Sequence, residues 1–249
     1  YKPIGDNHIG DWGTQFGKLL CAYKKWGKPA IVKKNPIPEL LKLYVKFHEE
    51  AEKDDTLKEE GRAWFKKLEN GDAEATRVWK YCVKVSMESF EKVYGRLGVS
   101  FDYVIGESFY IGDANRVIRE ALLKGVAKKD GDVVLIPMNG TPLLIQKSDE
   151  STLYATRDLA TIKYRKKKFN AHRMLYVVGS EQKLYFRQVF YAAQQLGYMK
   201  DGDAVHVDFG MISLPGGKMS TRAGRVVFLE DFINEAVKRA SGVIRGKNQ

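Results

Sequence analysis

A lysine, a serine and an arginine on one glycine-rich loop are the residues whose types and spacing most suggest chemistry. The loop runs Leu214-Pro215-Gly216-Gly217-Lys218-Met219-Ser220-Thr221-Arg222 and follows the strand-like segment Val205-His206-Val207-Asp208-Phe209-Gly210-Met211-Ile212. Glycines allow close backbone approach to a ligand. A lysine there brings a mobile positive charge to a polyphosphate, and hydroxyls add donors. Such cations stabilise the charge that develops when an α-phosphate is attacked. The same spacing also suits a solvated surface loop, so spacing alone does not define a nucleotide site.

A second set of side chains suits a planar cation. A guanidinium offers five donors in a fixed fork, and carboxylates match it bidentately. Asp158 follows Tyr154 by four residues, so on a helix both face one way. Glu107, in Gly106-Glu107-Ser108-Phe109-Tyr110, follows a strand-like run and comes from another element. Gly179-Ser180-Glu181-Gln182 follows a second apolar run; Gly179 permits close approach, and Glu181 is placed to accept from ribose hydroxyls. Each residue has a plainer reading. Asp158 suits the first turn of any helix, Tyr154 a core, Glu107 a surface lysine, Glu181 a solvated loop and Gln182 a helix cap. His206 reads as a satisfied strand-edge histidine.

The elements that must position these groups follow from periodicity. Residues 13–26 form an amphipathic pattern closed by Gly27 and Pro29. A long charged helical region is expected from Glu39 to about Leu68, then a helix capped by Asp72 and running to about Tyr94. Leu97 to Ile105 has strand character, and Asp113 to Leu123 reads as a helix. Segments 132–137 and 142–146 flank Met138-Asn139-Gly140-Thr141, a hairpin signal. Beyond it, helix 155–167, strand 173–178, helix 182–196, strand 204–209 and helix 229–241 alternate. That order implies crossovers and a parallel sheet.

Composition narrows the class. The chain has 249 residues, 44% hydrophobic and 29% charged, which excludes disorder and suits a globular fold. No apolar run approaches the length of a membrane span, and no signal peptide opens the sequence. Two cysteines, Cys21 and Cys82, lie far apart and read as core thiols of a reducing compartment; no metal site is expected. A net charge of +11 favours a polyanionic partner without requiring one. The basic run Lys163 to Lys168 ends a helix, where it is either solvated or a nucleic-acid contact.

Four blocks in order carry a resemblance. Lys218-Met219-Ser220-Thr221-Arg222 resembles the KMSKS signature of class I aminoacyl-tRNA synthetases, with Thr221 and Arg222 departing from it in the manner of arginyl-tRNA synthetases. Asn7 to Gly17 is similar to the block after that family's first helix. Tyr154-Ala155-Thr156-Arg157-Asp158-Leu159-Ala160 resembles its arginine-binding helix, and Gly179-Ser180-Glu181-Gln182 its ribose-binding turn. By this resemblance Lys218, Ser220 and Arg222 act on the leaving pyrophosphate. Glu107, Tyr154, Asp158 and Gln182 hold arginine, and Gly179, Glu181, Phe209, Gly210 and Met211 hold ATP with Lys218. His8-Ile9-Gly10-Asp11 mimics the other class I signature, HIGH, but the family's own HIGH turn lies upstream of such a position.

The resemblance implies an α/β fold with a Rossmann-like nucleotide-binding parallel sheet and two insertions. The sheet domain is expected over 1–30, 79–106 and 152–235, a helical insertion over 31–78 and a hairpin insertion over 107–151. Residues 236–249 would begin a linker to an anticodon-binding domain. The implied activity is ATP-dependent ligation of arginine to its tRNA through arginyl-adenylate, with magnesium only as the counterion of ATP. The partners are arginine, ATP and arginine tRNA, with no membrane, a monomeric state and a cytoplasmic location expected. Without the HIGH turn, the chain alone is expected to have little activity. Two rivals stand beside this reading: a nucleotidylyl-transfer enzyme activating another small carboxylate, and a nonenzymatic RNA-binding module.

Overall fold

The computed structural model describes residues 1–148, 151–211, 213–214, 217–218 and 227–247. In chain order these form β1 (Asp6–Asn7), α1 (Thr14–Trp26), α2 (Pro29–Lys34), α3 (Pro36–Ala51), α4 (Thr56–Glu69), α5 (Ala73–Leu97) and β2 (Tyr103–Val104). A 3₁₀ turn over Glu107–Tyr110 leads to α6 (Ile111–Leu123), β3 (Lys128–Asp130), β4 (Val133–Ile136), β5 (Leu143–Gln146) and α7 (Tyr154–Phe169). Then come β6 (Met174–Gly179), a 3₁₀ turn over Ser180–Gln182, α8 (Lys183–Gln195), β7 (Ala204–Phe209), β8 (Ser213–Leu214), β9 (Gly217–Lys218) and α9 (Leu229–Lys247). The chain divides into two compact units, residues 1–104 with 212–249, and residues 105–211.

The first unit is mainly helical. Leu40, Leu43, Phe47 and Ala51 recur at helical spacing and form the buried stripe of α3. Asp72 caps α5, its carboxylate accepting from the Ala75 amide at 2.9 Å. Helices α1 and α4 approach so closely that a Cβ at Gly17 would lie 2.3 Å from the Gly61 carbonyl oxygen, which explains the glycine. Trp12 packs edge-on to Trp79 and Phe65 at 5.5 and 5.7 Å, and the Trp79 indole donates to the Asp11 carbonyl. Strands β1 and β2 pair in parallel, while β8 and β9 form a short antiparallel ladder. Cys21 and Cys82 are buried, and burial pushes their thiols up to about 11 and about 12, as inert core thiols require.

Two expectations for this unit change. The long helix over 39–68 is broken into α3 and α4, because Asp54 accepts from both the amide and hydroxyl of Thr56 and starts a new helix. The strand expected over 97–105 shortens to Tyr103–Val104, since its partner β1 has only two residues.

The second unit holds the elements that matter most for function. Strands β3, β4 and β5 form an antiparallel sheet, and β6 pairs in parallel with β7 from Met174–Ala204 to Gly179–Phe209. Helix α8 makes the crossover between the parallel strands, as the alternation predicted. Strand β3 escaped the sequence reading because Lys128-Lys129-Asp130 is charged and exposed throughout. Val134, Ile136, Leu143 and Ile145 of the hairpin share one core with Leu159 and Ile162 of α7 and Val189 of α8. The hairpin and the helix–strand segment, assigned to different parts of the chain from sequence, therefore belong to one hydrophobic cluster.

A polar clamp closes this core. Glu120 of α6 accepts from Lys163, from Lys124 at 2.8 Å and from the Tyr198 hydroxyl at 2.8 Å. Burial works against its ionisation, but the bonds from Lys124, Lys163 and Tyr198 outweigh it and bring the carboxyl from 4.5 to about 2. The folded value is depressed, so the stabilisation is complete above about 4.5 and is lost as pH falls toward about 2. Replacing Glu120 by Gln should cost about 1–2 kcal/mol at pH 7 once screening at the half-exposed lysines is discounted. Urea midpoints should show that gap closing as pH falls through this range.

Candidate active site

Helix α7 begins after Leu153, whose extended backbone turns the chain into the helix, and Asn170 ends it in the left-handed region at φ 47°. Tyr154 and Asp158 therefore stand one turn apart at its start. Tyr154 is exposed, while Asp158 is partly covered. From α8 the Tyr185 hydroxyl donates to Asp158 Oδ2, and the Tyr185 ring meets the Tyr154 ring edge-on at 5.5 Å. Burial pushes the Asp158 carboxyl up from 3.8 to about 6. The bond from Tyr185 opposes that rise, the Glu107 charge adds to it, and Arg165 and Arg157 oppose it.

Glu107 enters from the 3₁₀ turn, and its Oε2 accepts from Arg157 Nε at 2.7 Å. Arg157 is buried, and its other contacts are the Thr152 carbonyl and hydroxyl, each at 3.3 Å. The structure thus brings Glu107, Tyr154 and Asp158 into one cluster and adds Arg157 and Tyr185, which the sequence reading missed. A sequence signal existed only for Tyr185, which follows Gln182 by three residues and so shares its side of the helix.

Gly179, Phe209, Gly210 and Met211, expected at the nucleotide, lie where the parallel strands end. Gly179 and Phe209 are partners in the last rung of the β6–β7 ladder. A Cβ at Gly179 would lie 3.0 Å from Met211 Sδ, so that strand end is closely approached. Gly210 and Met211 follow the end of β7, and Glu181 and Gln182 are exposed on the turn that opens α8. The region outside the carboxyl ends of parallel strands is where open α/β sheets bind ligands. His206 bonds the Val178 carbonyl at 2.9 Å and stacks by Phe186, as expected of a satisfied strand histidine. Lys218 is placed only by the backbone of β9, and Ser220 and Arg222 lie outside the described residues.

The basic run at the end of α7 is partly spent internally. Lys163 pairs with Glu120, Lys166 bonds Asp203 and the Ala171 carbonyl at 2.9 Å, and Arg165 lies over the Tyr176 ring at 5.2 Å. Lys167 and Lys168 stay exposed. Among the described residues no group of three or more His, Cys, Asp or Glu could hold a metal, and no helix is long and apolar enough to cross a membrane.

A parallel strand pair thus carries a glycine turn at its carboxyl ends, and α7 starts with a partly covered carboxylate. The family model described as "tRNA synthetases class I (R), catalytic domain" fits residues 1–249, and the chain belongs to that family. Curated relatives are named arginine–tRNA ligase. Those of Halothermothrix orenii and Clostridioides difficile are each 49% identical over 251 residues, covering 100% of this chain and 44% of their own length. The chain therefore spans under half the length of these relatives. Among solved structures, the arginyl-tRNA synthetase of Plasmodium falciparum aligns with a TM-score of 0.73 at 25% identity, over 98% of this chain and 40% of the other. The arginyl-tRNA synthetase of Thermus thermophilus aligns with a TM-score of 0.72 over 99% of this chain and 47% of the other; at 18% identity that likeness speaks for the fold alone.

Proposed function

We propose that this chain is the arginine-activating part of an arginine–tRNA ligase, with Asp158 as the carboxylate that receives the guanidinium. The observation that carries the reading is Asp158 itself. Its carboxylate is held by Tyr185 at the start of α7, beside Tyr154 and close enough to Glu107 to feel its charge. A guanidinium entering there would neutralise a carboxylate that burial otherwise makes costly to ionise. Tyr154 would line the pocket, Gln182 would approach the substrate from the turn before α8, and Glu107 would act largely through Arg157.

ATP, with magnesium as its counterion, is proposed to lie at the ends of β6 and β7. Gly179 would allow close approach, Glu181 would receive the ribose, and Phe209, Gly210 and Met211 would flank the base. The arginine α-carboxylate attacks the α-phosphate, giving arginyl-adenylate and pyrophosphate. Lys218, with Ser220 and Arg222, stabilises the departing pyrophosphate. A tRNA terminal hydroxyl then takes the arginyl group and releases AMP. Positioning and electrostatics do this work, with no covalent enzyme intermediate. The division into a sheet domain with insertions over 31–78 and 107–151 belongs to the same proposal, as do a monomeric state and a cytoplasmic location.

Citrulline provides the sharpest test, because it keeps the shape of arginine and lacks the charge. Calorimetric titration should show arginine bound at least about a hundredfold more tightly than citrulline. Equal binding of the two would instead favour an enzyme acting on another small carboxylate. Steeply salt-dependent RNA binding, with neither amino acid bound, would favour an RNA-binding module.

A further inference from the structure

We propose that Tyr185 is a positioning residue for amino-acid recognition, its hydroxyl fixing the Asp158 carboxylate while its ring fixes Tyr154. The inference rests on Asp158 being the arginine-binding carboxylate. Its basis is the geometry between two helices: Tyr185 comes from α8, whereas Tyr154 and Asp158 come from the first two turns of α7. One side chain touches both, through a hydrogen bond to Asp158 Oδ2 and an edge-on ring contact of 5.5 Å with Tyr154. Tyr185 is itself half-buried, so its rotamer is set by packing against Phe186, at 5.3 Å between rings, and Tyr154. Of the two tyrosine rings in contact across α7 and α8, Tyr154 presents its ring to ligand and Tyr185 holds it in place.

The hydroxyl also decides the charge state of the pocket. The groups acting on Asp158 include Glu107 from the 3₁₀ turn, Arg157 and Arg165 from α7, and Tyr185 from α8. Strand β5, which also packs on α7, brings no titratable side chain, and Glu120 of α6 is engaged by Lys124 and Lys163. Burial drives Asp158 toward the neutral acid, and Glu107 pushes the same way. Tyr185 opposes both from a fixed position. Burial and then the Asp158 charge raise its phenol far above the usual range, so it stays a donor wherever the protein works. A carboxylate so held is both oriented and ionised before arginine arrives, and that removes an ordering cost from binding.

The test is Tyr185→Phe in the 249-residue chain, with the Asp158 carboxyl followed by ¹³C NMR as pH is varied. Loss of one charge-assisted hydrogen bond should move the Asp158 midpoint upward by about one pH unit. Arginine affinity should then fall about twofold near pH 7 and about tenfold near pH 5, and recover as pH rises past the new midpoint. A tyrosine that merely fills space would lower affinity equally at every pH. An unmoved midpoint, or a loss of affinity independent of pH, would overturn the assignment and leave Asp158 as the arginine ligand. Asp158→Asn serves as the control on the underlying reading. If it binds arginine as tightly as the unmodified chain, the reading of the pocket fails, whatever the NMR midpoint shows about Tyr185.

Discussion

Replacing Asp158 by Asn should nearly abolish arginine activation while leaving the fold intact or firmer. Asn keeps the size of the side chain and an oxygen for the Tyr185 hydroxyl, but not the charge. Truncating one member of a covered, hydrogen-bonded charge pair costs about 2–5 kcal/mol of affinity, or roughly thirtyfold to several-thousandfold. With the protein assayed at full length, the loss should fall on kcat/KM for arginine, with KM for ATP little changed. Stability should move the other way. The folded-state value of Asp158 is raised, from 3.8 to about 6, so its favourable contribution is complete below about 4 and is lost as pH rises through about 6. At pH 7 the charged carboxylate therefore burdens the fold, and Asn should raise stability by about 1 kcal/mol. Lower activity with a higher denaturation midpoint is the signature of a residue kept for function. Lower activity with a lower midpoint would mark Asp158 as structural.

Replacing Arg157 by Met should have the largest effect on stability. Its guanidinium is 6% exposed and its partner Glu107 19% exposed, with 2.7 Å between them. Removing the cation leaves a carboxylate covered and uncompensated, which costs about 3–5 kcal/mol. It also leaves Asp158 facing Glu107 without one of the two arginines that moderate it, so the Asp158 carboxyl should rise further. Chemical denaturation of Arg157→Met, Glu107→Gln and the double variant would separate these effects. The double variant should recover much of the loss, because both charges are then gone. If the single variant unfolds at the same denaturant concentration as the unmodified chain, the pair is not the support that its burial implies.

Much of this arrangement was legible because local rules agreed with the fold. Strand 204–209 and a helix over 155–167, observed as Tyr154–Phe169, follow from periodicity, and the spacing of Tyr154 and Asp158 already put them on one side. The hairpin followed from its Asn-Gly turn. What escaped depends on partners distant in sequence. Arg157 is buried because Glu107, fifty residues earlier, neutralises it. Tyr185 matters because α8 lies against α7, and no single helix encodes that. The break between α3 and α4 turns on one aspartate accepting from Thr56, a contact that a charged, periodic stretch conceals. Two-residue strands such as β1 and β2 carry too few side chains for any period to register.

The central claim is a contact between one protein charge and one ligand charge, and a four-corner binding cycle measures that contact directly. Arginine and citrulline would be titrated into the unmodified protein and into Asp158→Asn. If the carboxylate receives the guanidinium, the preference for arginine should collapse to within a few-fold in the variant, mainly because arginine alone loses affinity. An undiminished preference for arginine in Asp158→Asn would mean that the cation is held elsewhere.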